Sequence, residues 1–292
     1  MRPSAHDDVR RGRHASGPVS APASWGWKRR VADLLARSHA LRPAVSLYQT
    51  VLGVLGALGR SRVGGDGLPI PSAQLRVRVG PGHGDLDSFL ESGKRHVQLI
   101  RTLLQQQGAR AEASAPILDF GCGCGRVARH WRGLDVDLHG CDVNRRMIDW
   151  CRENLDFGQF DVNDLEPPLP YEDGSMGLAY AFSVFTHLPQ NLQLGWLQEF
   201  RRVLRPGGYL LFSTLGEYYV GLDRLNEAER QAFGEGRLVV LFEDHAGESY
   251  CSAYHPRDFV ERTLADGFEY LANRPGDNHE HHDIHLFRKP EG

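Results

Sequence analysis

From Pro116 onward the chain predicts an α/β fold, a mostly parallel sheet with helices on both faces. Two observations carry that expectation. Short apolar runs alternate with amphipathic helical stretches, the pattern of strands joined by crossover helices. Glycines and acids stand directly after those runs, where an open α/β sheet forms its ligand crevice beyond the carboxyl ends of the strands. The composition permits such a core: 292 residues, 41% hydrophobic and 24% charged, are ordinary for a globular protein.

The strands are expected at "ILDF" (117–120), "DLHGCD" (137–142), "GQFDV" (158–162), "GLAYAF" (177–182) and "YLLFST" (209–214), with a final hairpin at "GFEYLAN" and "HDIHLFRK". Between them "RVARHW", "NRRMIDWCREN" and "NLQLGWLQEFRRVL" have helical spacing. Residues 111–292 form one expected domain, and 215–255 within it are longer than a plain strand-to-helix connection.

Ahead of it, 25–110 reads as a helical cap. "WKRRVADLLARSHALRPAVSLYQTVLGVLGALG" has apolar residues at helical spacing, interrupted by Pro43. A Gly/Pro-rich break, "VGGDGLPIPSAQLRVRVGPGHGDLD", follows it. Then "DSFLESGKRHVQLIRTLLQQQG" predicts a helix capped by Asp87 or Ser88 and ended by Gly108. Residues 1–24, rich in Arg, Ser, Pro and Ala, read as a disordered tail with no secretory apolar run after the arginines.

Charge and cysteine usage narrow the functions. A formal charge of −3 makes no overall electrostatic case for nucleic acid or an anionic membrane. The Arg-rich "RVLRPGG" lies in the lead-in to a strand. No stretch approaches the roughly 18–20 apolar residues of a membrane span. Five cysteines in a chain this long do not resemble a secreted disulfide framework, so the cytoplasm is the expected compartment. The apolar 44–59 stretch remains a candidate for a membrane surface.

"ILDFGCGCGRVARHW" (117–131) places Gly121, Gly123 and Gly125 where the first strand must turn. Glycine permits positive φ and close approach of backbone amides to a ligand. A dinucleotide fingerprint needs glycine at position 126, which is Arg126, and the Gly-Lys-Ser/Thr close of a phosphate loop is absent. Cys122 and Cys124 form a C-x-C pair without a second pair nearby, so a zinc site is not expected there. Asp142 ends the next strand, where a carboxylate can accept from both hydroxyls of a ribose. A nucleoside without a pyrophosphate suits these parts better than NAD.

At this point the sequence resembles class I S-adenosylmethionine-dependent methyltransferases. "ILDFGCGCGR" and "HGCDVN" are similar to their first two motifs, followed in order by "DVNDLEPPLPYEDGSM", "AYAFSVFTHLP" and "FRRVLRPGGYLLFST". The resemblance covers roughly Pro116 to Thr214 and implies a Rossmann-like seven-stranded sheet binding S-adenosylmethionine. It implies that Asp119, Gly121 and Gly123 hold the methionine part within the Gly121–Gly125 turn, which includes Cys122, and that Arg126 approaches its carboxylate. Asp142 would take the ribose and Val143 the adenine face, with Asn163 or Asp164 reading the adenine amino group. Phe182 and Ser183 would lie under the sulfonium. Met176–Gly177 stands where the family often has Phe-Asp.

His187, just after the fourth strand, is a candidate general base; the alternative is that it starts the next helix and packs. In the 215–255 insertion, Tyr218, Tyr219, His245, Tyr254 and His255 are candidates for the acceptor side, or else for the core of a lid. Across "NHEHHDIH" (278–285), His281, Asp283 and His285 would share one face of a strand, yet an ordinary strand end explains them, and no metal is expected. The expected partner is a small-molecule methyl acceptor, such as a natural product or saccharide, methylated on oxygen before nitrogen. A protein or lipid acceptor, or cofactor binding without transfer, are the alternatives. The absence of Asn-Pro-Pro-Tyr after strand four argues against nucleobase methylation.

Overall fold

The computed structural model describes residues 31, 34–35, 40–56, 63–222, 224–276 and 281–292. The tail 1–24 and much of 25–62 lie outside them. Seven strands form one sheet: β1 (Ile117–Phe120), β2 (Leu138–Asp142), β3 (Gln159–Val162), β4 (Met176–Ala181), β5 (Leu204–Thr214), β8 (Glu269–Arg274) and β9 (Asp283–Arg288). Their order is β3–β2–β1–β4–β5–β9–β8, and only β9 runs against the rest. This is the expected Rossmann-like sheet. The order reverses at β1, between β2 and β4, which opens the crevice of such sheets at that point.

Alternate residues of the central strands feed opposite cores. Ile117, Leu178, Tyr180 and Leu211 face one layer; Leu118, Ala179, Ala181 and Phe212 face the other. Both faces are buried, so every residue of β1 and β4 is buried, and β4 reads as a continuous apolar run rather than an alternating one. On the first face lie α3 (Leu86–Gln106), through Val97, Ile100, Leu103 and Leu104, and α4 (Arg145–Asn154), through Ile148 and Cys151. The second face is covered by α5 (Gln190–Val203), through Trp196, Leu197 and Phe200.

The N-terminal elements depart from the sequence reading in detail. Helix α1 (Leu41–Gly56) contains Pro43 in its first turn, where a proline removes no intrahelical hydrogen bond. The Gly/Pro-rich break contains a helix, α2 (Ala73–Val79), whose first turn is capped by Ser72 accepting from the Leu75 amide. Arg76 fixes that helix by donating to the carbonyls of Pro71, His83 and Gly84. The cap of α3 is Asp85, which accepts from Ser88 N at 2.9 Å, rather than Asp87 or Ser88. Gly108, just past its end, has φ 73°. After the glycine turn the expected helix is only a short 3-10 turn, Ala128–Trp131.

The insertion folds into a satellite layer. A single turn, Glu217–Val220, leads to α6 (Glu227–Gly234) and an antiparallel pair, β6 (Val239–Leu241) and β7 (Ser252–Tyr254). Leu215, Leu225, Phe233, Val239, Leu241 and Tyr254 form its own core. It joins the sheet where β5 ends, through His255 N donating to Leu215 O at 2.8 Å. No helix among the described residues is long and apolar enough to cross a membrane.

Candidate functional site

A cavity of about 480 Å³ opens at the carboxyl ends of β1, β2, β3 and β4, at the point where the strand order reverses. Its floor is the turn after β1. Gly121 and Gly123 adopt φ 74° and 56°, conformations that L side chains rarely take. A Cβ on Gly121 would lie 2.3 Å from Val184 Cγ2, and one on Gly123 would lie 2.8 Å from Val79 Cγ2. Gly125, φ 74°, turns the other way: its Cβ would meet Leu155 Cδ1 at 2.5 Å. Its place is therefore packing against the segment behind the turn, and it does not line the cavity.

Two acids flank this floor. Asp142 accepts from Gly123 N at 2.9 Å through one oxygen and from Asn144 N at 2.7 Å through the other. Burial raises its carboxyl above the usual carboxylate range, and those two amides partly offset the rise. Asp119 is buried, and its Oδ2 has no hydrogen-bond partner. Burial pushes its pKa up to about 7, opposed by the Tyr180 hydroxyl and the Arg126 charge and assisted by Asp142. An unsatisfied buried carboxylate oxygen facing a cavity is a place for a cationic or donor group.

Asn163 and Asp164 both line the far wall. Asn163 donates to Asp164 O at 2.7 Å, and its own Oδ1 is buried without a partner. Val143 contributes a 48% exposed apolar side chain to the same wall. Cys122, Phe182 and Ser183 also line the cavity. Burial raises the Cys124 and Cys141 thiols, and the neighbouring Cys151 together with burial raises Cys122, which keeps all three as small inert fillers. Arg126 lines the cavity too, but its guanidinium donates to His96 Nδ1 at 2.7 Å and to Ser92 Oγ at 3.3 Å, both on α3.

These parts fit an S-adenosyl nucleoside. The glycines leave the turn free of Cβ atoms, Asp142 presents carboxylate oxygens to the cavity, and Asn163 Oδ1 is an acceptor in need of a donor. Asp119 Oδ2 is an orphaned acceptor suited to a cationic or amino group.

His187 ends the 3-10 turn Phe185–His187 and lines the cavity. Its Nδ1 lies 2.6 Å from Cys251 O. A carbonyl only accepts, so Nδ1 carries the proton and Nε2 keeps its lone pair. Burial lowers the imidazole below its usual pKa and so favours the neutral ring, while the bond to Cys251 O partly offsets that lowering. Gly247 N donates back to His187 O at 2.8 Å. The segment 246–249, which forms another wall, is thus clasped to His187 from both sides.

None of the five acceptor-side candidates is among the cavity-lining residues. Tyr254 belongs to the satellite core, and His255 is buried with Nε2 3.1 Å from Gln193 Oε1 and its pKa lowered by burial to about 3. Tyr218 stacks on His281 at 4.2 Å, Tyr219 lies 5.5 Å from His282, and His245 meets Tyr250 edge-on at 4.8 Å. These rings found partners inside the insertion and the β9 approach. The wall is built instead from Ala246, Gly247, Glu248 and Ser249, with Gln49, Arg78 and Val79 from α1 and α2. Small polar residues and a helix hidden among prolines and glycines carry little motif signal; only Ser72 before "AQLRVRV" marked α2.

The "NHEHHDIH" residues 278–280 lie outside the described residues. Among the rest, His281 has φ 58°, Asp283 accepts from Gly276 N, and His285 is bonded by Thr214 and Tyr270. They do not converge, and no group of three metal-ligating side chains occurs among the described residues.

Comparison with known proteins matches residues 118–212 to a family described as a methyltransferase domain. A malonyl-[acyl-carrier protein] O-methyltransferase from Yersinia pestis is 32% identical over 152 residues, covering 50% of this chain and 49% of that protein. One from Pectobacterium atrosepticum is 25% identical over 188 residues, 62% of this chain and 68% of that one. For the first of these relatives the chain spans about half the length. Among solved structures, a SAM-dependent methyltransferase from Methanosarcina mazei aligns over 60% of this chain and 92% of its own at 18% identity and a TM-score of 0.46. Residues 118–212 thus match a methyltransferase domain, and that match falls on the strand order and glycine turn described above.

Proposed function

We propose that the protein binds S-adenosylmethionine in the cavity at the β1–β4 crevice and moves its methyl group to an oxygen of an acceptor. The observation that supports this best is the convergence of the glycine turn, Asp119, Asp142 and Asn163 on one cavity whose other walls are His187 and the segment 246–249. When bound, the sulfonium supplies an electrophilic methyl group.

The chain's own residues then have binding and aligning work. Gly121 and Gly123 let the backbone approach the methionine part, and Asp119 accepts from its ammonium. Asp142 keeps lone pairs for the ribose hydroxyls beside its two amide bonds, while Val143 covers the adenine and Asn163 Oδ1 accepts from its amino group. The segment 246–249, latched to His187, narrows access of water. Alignment of two reactants by such walls supplies much of the rate in a transfer between them.

The relatives' names direct the first acceptor to test: a malonyl carboxyl borne by an acyl-carrier protein. This modifies the expectation of a natural product or saccharide and overlaps the alternative of a protein-borne acceptor. A carboxylate is already an anionic nucleophile and needs no base. A second reading, a neutral hydroxyl on a free small molecule, is favoured by His187, whose Nε2 lone pair is held for proton abstraction.

His187→Ala separates the two. With a carboxylate acceptor, kcat falls only a few-fold as the lid latch loosens. With a hydroxyl acceptor, kcat falls about 100-fold and the rate loses its rise with pH. Labelled S-adenosylmethionine incubated with malonyl-carrier protein and the wild-type chain should yield labelled methyl ester. Absence of label, with cofactor binding intact, removes the carboxylate acceptor.

A further inference from the structure

The floor of the cavity beyond β4 contains one strained residue. Ser183 is a non-glycine residue at φ 60°, a conformation that persists where the surroundings impose it. Here the surroundings are two side chains from the far half of the sheet. Ser213, next to last in β5, accepts from Ser183 N at 2.8 Å. His282, the residue before β9, places Nδ1 3.3 Å from Ser213 Oγ and 3.4 Å from Ser183 Oγ. His282 is only 7% exposed, and its ring lies 5.5 Å from that of Tyr219.

The cofactor half of the cavity already has its polar contacts on β1, β2 and β3. Ser183 lies two residues past the end of β4 and lines the same cavity as His187. A serine hydroxyl offers one donor and two acceptor positions, and this one is set by a buried network rather than by solvent. We propose that Ser183 is an acceptor-binding residue whose hydroxyl donates to the carboxylate of the methyl acceptor, with Ser213 and His282 as the positioning residues that hold it. This rests on the carboxylate reading above. It moves Ser183 from the cofactor to the acceptor, and gives His282 the role of holding it.

The test uses the full-length chain loaded with S-adenosylhomocysteine and titrated with malonyl-pantetheine as the probe. Ser183→Ala should weaken probe binding about tenfold, the loss of one hydrogen bond to a charged group, and change S-adenosylhomocysteine affinity less than twofold. His282→Ala should reproduce the loss. His282→Asn, whose amide reaches the position of Nδ1, should restore most of it, whereas His282→Leu should not. A role in packing alone would let Leu do as well as Asn, and that result overturns the proposal. So does a Ser183→Ala chain that binds the probe normally, or one that loses S-adenosylhomocysteine instead. A wild-type chain that binds S-adenosylhomocysteine but not the probe overturns the carboxylate reading and this inference with it; wild-type binding with unaffected variants overturns this inference alone.

Discussion

Asp119, last but one in β1, has one carboxyl oxygen lacking a partner and a pKa pushed up by burial to about 7. Between the ordinary carboxylate value and about 7, the folded chain holds a proton that the unfolded chain has released, so Asp119 lowers stability as pH rises through that window. A cationic group against Asp119 favours the ionised form and must displace that proton. Cofactor affinity is therefore expected to weaken as pH falls below about 7, with a proton released on binding. Calorimetry in two buffers of different ionisation enthalpy measures that release, and Asp119→Asn should abolish it. Equal proton release in the variant would place the titrating group elsewhere. The partnerless Oδ2 is not visible in a sequence; only the position of Asp119 at a strand end is, because period and turn chemistry mark strand ends while hydrogen-bond satisfaction depends on the whole fold.

Helix α3 shows how an element is placed by a single residue. A Cβ at Gly93 would lie 1.9 Å from Arg126 O and 2.8 Å from Arg126 C. The glycine lets the helix cross directly over the chain that follows the glycine turn, where Arg126 donates to His96 and Ser92. Gly93→Ala should improve helix propensity by about 1 kcal/mol yet destabilise the protein by about 1–3 kcal/mol or more through the backbone clash. Thermal unfolding reads the sign: a Tm at or above wild type would show that α3 does not rest on the turn. Periodicity located this helix, but Asp85, Asp87 and Ser88 are all cap types in four positions, and only tertiary placement chose Asp85. Helix α2 was missed for a related reason: seven residues between Pro and Gly clusters are too short to show a helical period. "RVARHW" failed the opposite way, since helical spacing there yields a single 3-10 turn pinned by Arg129 to Asp66 through two bonds, at 2.7 and 3.0 Å.

At the scale of the molecule, strand order places the chemistry. The reversal at β1 brings residues 119–123, 142–143, 163–164 and 182–187 around one cavity although they are spread over nearly 70 positions of sequence. That half of the site was legible because each piece follows a strand. The remaining wall was not, because the insertion packs Tyr254 into its own core and sets Tyr218 and Tyr219 beside His281 and His282 while it sends small residues to the cavity, and because α1 and α2 arrive from the far N-terminal side. The satellite layer is bonded to the site at His187, through Cys251 O and Gly247 N. The most direct test of the account is isothermal titration of the wild-type chain and Asp142→Ala with S-adenosylmethionine, with circular dichroism confirming that both are folded. The account predicts one site of roughly micromolar affinity in the wild type and a loss of at least about tenfold in the variant. No binding by the folded wild type, or equal affinity in both, would contradict it.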